Sequence, residues 1–292
     1  MLGVIGDLVE DVIVWVGGPV RHGTDTESRV FRRRGGSGAN VASFAADLGP
    51  TRFMGCVGAD PAGDRVIGDL ESERVDVRVV RRGETGTIVV LIDGQGERTM
   101  FPNRGASTLL DAVPDEWLSG LSLLHVPAYS FSAEPLGAAV IDAIRRVKDV
   151  GGRVSVDASS TGMLTRYGRG RFLDLMAELE PDFLLANSDE SAFLGLLVDG
   201  VTGTERWRLP STTVVTKSGP QATIIDVPNQ PQDEVEVPAV EEVRDLTGAG
   251  DAFAAGFLSG YLRTRDLREA AVLGHASAAR VLTSPGASTA GG

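Results

Sequence analysis

Short apolar runs recur along the chain between stretches of helical periodicity: Leu2 to Ile5, Phe53 to Val57, Leu121 to Val126, Val154 to Val156, Phe183 to Leu185 and Thr213 to Thr216. Each has the length of a buried strand, and amphipathic stretches such as Leu136 to Val150 and Asp251 to Arg263 supply the crossovers. This alternation predicts an open, mainly parallel α/β sheet. Two regions break the rhythm, Val12 to Phe31 and Thr85 to Phe101, where strand-like segments such as Thr87 to Ile92 meet turns such as Asp93-Gly94-Gln95-Gly96. Strands without helices between them predict antiparallel hairpins. They are expected to form one small sheet from two insertions, at about 12–34 and 85–103, projecting over the edge of a single domain spanning 1–292. A lid over a ligand cleft and a plain edge extension of the main sheet are both compatible with that pattern. No internal repeat is visible, and the tail Gly286 to Gly292 is expected to fray.

Composition changes the picture little. A chain of 292 residues with 42% hydrophobic content can bury a large core. Its 37 glycines sit at discrete turns, so they punctuate a folded protein. A net charge of -12 and a pI near 4.8 argue against nucleic acid or an anionic membrane as partner, because both repel an acidic surface. The short run Arg32-Arg33-Arg34 reads as a solvated strand end. Cys56 is the only cysteine, which excludes an internal disulfide framework and a CxxC site and fits a reducing cytoplasm. Acidic residues at Asp7, Glu10 and Asp11 leave no room for a basic signal-peptide start, so a soluble cytoplasmic protein is expected.

The candidate chemistry begins at Asp245-Leu246-Thr247-Gly248-Ala249-Gly250-Asp251, which leads from a polar loop into a helical pattern. Small residues at a helix start let backbone N–H groups converge on an anion, and the helix dipole adds positive charge. Asp251 stands at the mouth of that helix, where a carboxylate can take the proton of an attacking hydroxyl. It can equally serve as a helix cap. A second glycine-rich segment, Gly35-Gly36-Ser37-Gly38-Ala39-Asn40-Val41-Ala42, also opens a helix, running to Leu48.

Together, GGSGANVA and DLTGAGDAFAAGF resemble the two signature segments of the ribokinase-like (PfkB) carbohydrate kinases, in the right order and over essentially the whole length. The resemblance implies a three-layer α/β/α domain with a small β lid. It assigns phosphate binding to Gly248, Ala249 and Gly250, and the general base to Asp251. It assigns substrate hydroxyls to Gly36, Asn40 and Asp11, for which a helix-internal bond of Asn40 and an exposed loop acid are the plain alternatives. Ala186-Asn187-Ser188-Asp189-Glu190 is similar to the family's Asn-x-x-Glu motif, which implies that Asn187 and Glu190 order water around Mg²⁺; the same residues also suit a helix start. Thr216-Lys217-Ser218-Gly219 resembles the nucleotide loop, with Ala222 where a second glycine is usual. Asp245, Thr247 and the loop Ser284 to Ser288 match the place of a monovalent-cation site, typically potassium. The last lid strand carries Asn103 and Arg104 toward the cleft, where an inward Arg104 guanidinium suits a carboxylate or phosphate and an outward one is a surface charge.

The expected activity is ATP-dependent phosphorylation of a hydroxyl on a small sugar-like molecule, with Mg²⁺, and with pairing of two chains through the lid. A nucleoside acceptor is the alternative within the class, and a non-catalytic ligand-binding homologue lies outside it. A dinucleotide oxidoreductase fails, since neither Gly3-Val4-Ile5-Gly6 nor the Gly36 segment completes GxGxxG.

Overall fold

The computed structural model describes residues 1–240, 242–243 and 246–283. The apolar runs become strands Leu2–Ile5, Thr51–Val57, Leu123–Pro127, Arg153–Asp157, Phe183–Asn187 and Thr213–Ser218. Most extend a residue or two past the apolar stretch, because backbone pairing continues after the side chains turn polar. Asp76–Arg81, Gln221–Asp226 and Asp233–Val235 add strands that the apolar pattern did not announce. Asp76–Arg81 and Asp233–Val235 form the two edges of the sheet, where one flank meets solvent and apolar content is lower.

Across this nine-stranded sheet the order runs Asp233–Val235, Gln221–Asp226, Thr213–Ser218, Phe183–Asn187, Arg153–Asp157, Leu123–Pro127, Leu2–Ile5, Thr51–Val57, Asp76–Arg81. Pairing is parallel from Thr213–Ser218 to Asp76–Arg81, and antiparallel for the two strands beyond. Alternate side chains enter opposite cores: Leu2 and Val4 pack on one face and Ile5 on the other, as do Leu185 and Leu184. Helices Ser37–Ala46, Pro61–Ser72, Ala249–Thr264 and Leu267–Leu282 share the first core, and Leu136–Asp149 and Arg169–Leu179 the second. Truncating a fully buried residue such as Leu184 to Ala should remove about 2–5 kcal/mol of stability. Among the described residues, no helix is long and apolar enough to cross a membrane.

The strand Leu2–Ile5 lies between Thr51–Val57 and Leu123–Pro127, so strand order reverses beside it. A crevice at the carboxyl ends next to such a reversal is the usual ligand position in an open α/β sheet.

A separate four-stranded sheet is ordered Ser28–Gly35, Val9–Val16, Thr85–Ile92, Arg98–Gly105. Each sequence-local pair is an antiparallel hairpin, but the two hairpins join through a parallel pairing of Val9–Val16 with Thr85–Ile92. Glu10 ties the base of this sheet down. It is buried and forms ion pairs with Arg32 and with Arg65 of the helix Pro61–Ser72. The outer strands Ser28–Gly35 and Arg98–Gly105 are largely exposed.

Candidate active site

The helix Ala249–Thr264 starts after Gly248, whose φ of 76° is a left-handed turn, and no side chain caps it. Ala249 donates to Leu246 O and Ala252 to Gly248 O, which leaves the N–H groups of Gly250 and Asp251 unpartnered among the described residues. Those amides, with the positive end of the helix dipole, form a ready anion site. Asp251 does not cap its own helix. Its carboxylate reaches the other glycine segment, where Oδ1 accepts from Ser37 Oγ at 2.7 Å and Oδ2 from Asn40 Nδ2 at 3.0 Å.

Asn40 is fixed in turn, since its Oδ1 accepts from Arg34 Nη1 at 3.1 Å. Gly36 caps the helix Ser37–Ala46 with φ 102°, and a Cβ there would sit 2.2 Å from Asp7 O. Only glycine lets this helix start approach the end of the first strand so closely. Burial raises the Asp251 carboxyl to about 6. The bonds from Ser37 and Asn40 pull it down, Asp157 pushes it up, and Lys217 opposes Asp157. A carboxylate at that value is ionised at neutral pH yet basic enough to accept a proton, as a general base requires.

Register aligns a polar row at the carboxyl edge of the main sheet. Asn187 pairs with Lys217, and Asp157 with Leu185. Lys217 Nζ donates to Asp157 Oδ2 at 2.9 Å and lies 5.9 Å from the centre of the Phe253 ring. Burial works against the Lys217 charge, but Asp157, Glu190 and Asp251 together offset it and push the ammonium above its ordinary value. Asn187 and Glu190 form a reciprocal capping box: Asn187 Oδ1 accepts from Glu190 N, and Glu190 Oε2 from Asn187 N, each at 2.8 Å. Glu190 is 3% exposed, and burial, helped by the Asp157 charge, raises its carboxyl well above the ordinary range. The helix-start arrangement of this pair is present, and both residues also line the cavity beside it.

These groups line a cavity of about 640 Å³ together with Gly219, Ala249 and Gly250. Its lining joins polar side chains, Asp157, Asn187, Glu190, Lys217 and Asp251, to apolar ones that include Pro220, Val240, Val243, Leu246, Phe253 and Leu282. His275 also lines the cavity, edge-on to Phe253 at 5.2 Å, and burial pushes its ring below the ordinary imidazole range. The volume suits a nucleotide-sized ligand with one flat apolar part and one charged part.

Asp11 lies in the small sheet, its Oδ1 against the bare Cα of Gly35, where a Cβ would stand 2.2 Å away. That oxygen is buried and accepts no hydrogen bond among the described residues. Burial raises the carboxyl to about 6, partly opposed by the Arg34 charge.

Other expected residues are placed differently. Thr216 does not line the cavity; its hydroxyl is buried against Ser191 Oγ at 3.0 Å. Asn103 is exposed and accepts from its neighbour Gly105 N at 3.1 Å. Strand register aligns it with Thr87 and Glu10, on the face opposite Asp11, Ile88 and Pro102. Arg104 points inward, but a carboxylate of the protein occupies its fork. Nε donates to Asp7 Oδ2 at 2.8 Å, Nη2 to Asp7 Oδ1, and Nη1 to Tyr129 O and Ser132 Oγ at 2.9 Å each. Asp245 and the loop 284–288 fall outside the described residues, while Thr247 directly precedes Gly248. Asp157 is the addition that no motif flagged. The available signal was an acid directly after the apolar run Val154-Ser155-Val156, at the carboxyl end of an expected strand.

Comparison with known proteins agrees with this arrangement. The family model described as pfkB family carbohydrate kinase matches residues 1–290. A fructokinase of Klebsiella pneumoniae is 34% identical over 277 residues, covering 88% of this chain and 83% of the relative. Among solved structures, the adenosine kinase of Sinorhizobium meliloti shares the fold with a TM-score of 0.84 at 23% identity, over 98% of this chain and 94% of its own. The fructokinase of Vibrio cholerae O395, solved with fructose, ADP and calcium ion bound, has a TM-score of 0.77 at 25% identity, again over 98% and 94%. The fold is ribokinase-like, and on a family match over nearly its full length this chain belongs to the pfkB family of carbohydrate kinases.

Proposed function

We propose that this chain transfers the γ-phosphoryl group of ATP to a hydroxyl of a small sugar, and that Asp251 is the general base. The observation that carries this reading is the Asp251 carboxylate itself. It is half-buried, oriented by Ser37 and Asn40, and raised to about 6 beside two helix-start amides unpartnered among the described residues. Each carboxylate oxygen keeps a lone pair for a substrate hydroxyl beyond the bond it already accepts. As the acceptor oxygen attacks, Asp251 takes its proton, and the N–H groups of Gly250 and Asp251 meet the charge growing on the phosphoryl oxygens. Lys217 adds positive charge to the cavity lining, held there by Asp157.

A magnesium ion bound with the nucleotide would neutralise phosphate charge. The residues present suit a hydrated ion. Among the described residues no three His, Cys, Asp or Glu side chains gather to cage a metal, while Asp157 and Glu190 both face the cavity. Mg²⁺ keeps much of its water and uses few protein ligands, so these two acids would hold it through that water. Potassium beside Asp245 and Thr247 stays a proposal from the sequence motif alone.

On the acceptor side, Asp11, Gly36 and Asn40 would grip hydroxyls, and the unpartnered Asp11 oxygen supplies an acceptor with nothing yet to accept from. The small sheet would act as a lid that excludes water and suppresses ATP hydrolysis. Its exposed Trp15, Phe31 and Met100 favour pairing with a second lid, which sedimentation of the native chain against Phe31→Lys would test. Fructose, the sugar in the names of the relatives, is the first acceptor to try. Coupled ADP release from ATP and fructose tests the whole reading. Loss of turnover by at least about a thousandfold in Asp251→Asn, with nucleotide binding kept, is the expected result; near-normal turnover in that variant would remove the base assignment.

A further inference from the structure

In the run Arg32-Arg33-Arg34 the first two residues are exposed, but the third turns inward. The Arg34 side chain is only 6% exposed, an unusual state for a guanidinium on the strand Ser28–Gly35, whose residues otherwise largely face solvent. Strand register sets Arg34 opposite Glu10, yet that carboxylate is already held by Arg32 and Arg65. The Arg34 fork reaches the main domain instead. Nη1 donates to Asn40 Oδ1 at 3.1 Å, and Nη2 to Glu73 Oε2 at 3.2 Å. Asn40 lies in the helix Ser37–Ala46, and Glu73 is the C-cap of the helix Pro61–Ser72.

These partners are not equivalent. The Glu73 side chain is 42% exposed, so water can replace Arg34 there at little cost. Asn40 is buried, and its amide stands between two charged groups, the Arg34 guanidinium at Oδ1 and the Asp251 carboxylate at Nδ2. A guanidinium only donates and a carboxylate only accepts. One orientation of the amide satisfies both; flipped, it would set its oxygen against the carboxylate and its N–H groups against the guanidinium. A charge-assisted bond at the amide oxygen also polarises the N–H groups, which strengthens their bond to Asp251.

Resting on the kinase reading above, we propose that Arg34 is a positioning residue for phosphoryl transfer: through the Asn40 amide it holds the Asp251 carboxylate at the angle from which it takes the acceptor proton. Ser37 holds the other carboxylate oxygen, so Arg34 governs the second of the bonds that orient the base. The base on the main domain is thereby tied to a strand of the small sheet. A lysine at this position would keep a donor for Asn40 but could not span to Glu73 as well.

Arg34→Met keeps the aliphatic stem and leaves no charge buried without a partner, since Glu73 reaches solvent, so the variant should fold. Steady-state ADP release with an accepted sugar should show kcat lowered at least about tenfold, with the nucleotide KM within about threefold of the native chain. Arg34→Lys should regain most of that kcat, and Glu73→Gln should stay within about twofold of native. In an Asn40→Ala background Arg34→Met should cost nothing further, because the route through the amide is already gone. An unchanged kcat in Arg34→Met, an equal loss in Glu73→Gln, or a full further loss in the Asn40→Ala background overturns the proposal. Side-chain amide exchange, followed by NMR in the unliganded chain, reads the same contact without turnover. The Asn40 Nδ2 protons should exchange at least about tenfold faster in Arg34→Met, and exchange at the native rate also overturns the proposal. Arg34-dependent protection with no turnover of any acceptor would remove the kinase reading and leave the hold of Arg34 on Asn40 and Asp251 standing.

Discussion

Asp251 and Asp11 are two half-buried acids whose carboxyls rise to about 6 for the same first reason, burial, yet they stand in opposite states. Asp251, on the main domain, is held through both oxygens by Ser37 and Asn40. Asp11, on the small sheet, has a buried oxygen with no donor among the described residues. The Asp251 side of the cleft is thus held by donors of the protein, while Asp11 leaves an acceptor oxygen open on the small sheet. A satisfied acid can wait as a base, whereas an unsatisfied one is a binding group whose cost is repaid on contact.

The strongest way to break this contrast is to exchange the two losses. Asp251→Ala should cut kcat by at least about a thousandfold while acceptor binding, read by calorimetry, changes little. Asp11→Ala should instead raise the acceptor KM by about ten- to a hundredfold and leave most of kcat. Equal kcat losses in the two variants would end the distinction.

Lys217→Met should weaken nucleotide binding by about tenfold and leave Asp157 buried without its partner, so a lower melting temperature should accompany the weaker binding. The pH profile separates the acids next. Activity needs Asp251 ionised, so kcat/KM should climb as pH rises through about 6 and level off above it. This limb should persist in Asp11→Asn if Asp251 is the base. The smallest effect is on stability. A carboxyl whose folded value lies above its unfolded value of 3.8 favours the folded state at low pH, and that advantage is lost as pH rises from about 4 to about 6. Asp11→Asn removes the orphan charge and should therefore melt about 2–4 °C higher than the native chain at pH 8, measured by calorimetry.

The sequence was most legible where a local rule acts alone. The strands Leu2–Ile5 and Phe183–Asn187 are buried on both faces, so their apolar runs stood out. Edge strands such as Asp76–Arg81 did not, because one flank is wet and the pattern weakens. In the site, Gly248 to Asp251, Asn40, Glu190 and Lys217 could be singled out from glycine turns and helix starts. Asp157 could not, being a single acid in a chain with 40, and only strand order brings it beside Lys217. Asn103 shows the converse error: one residue from Arg104, it falls on the opposite face because side chains alternate along a strand.

By itself the sequence determined which segments pair as buried strands, and where small residues expose backbone amides at the starts of two helices. These follow from neighbours within a few positions. Tertiary structure decided that Asp251 would bond to Ser37 and Asn40 across more than two hundred residues instead of capping its own helix. It also decided that Arg104 would be spent on Asp7. Which donor meets which carboxylate depends on strand order and register, and no local pattern encodes a contact whose two halves lie in different elements.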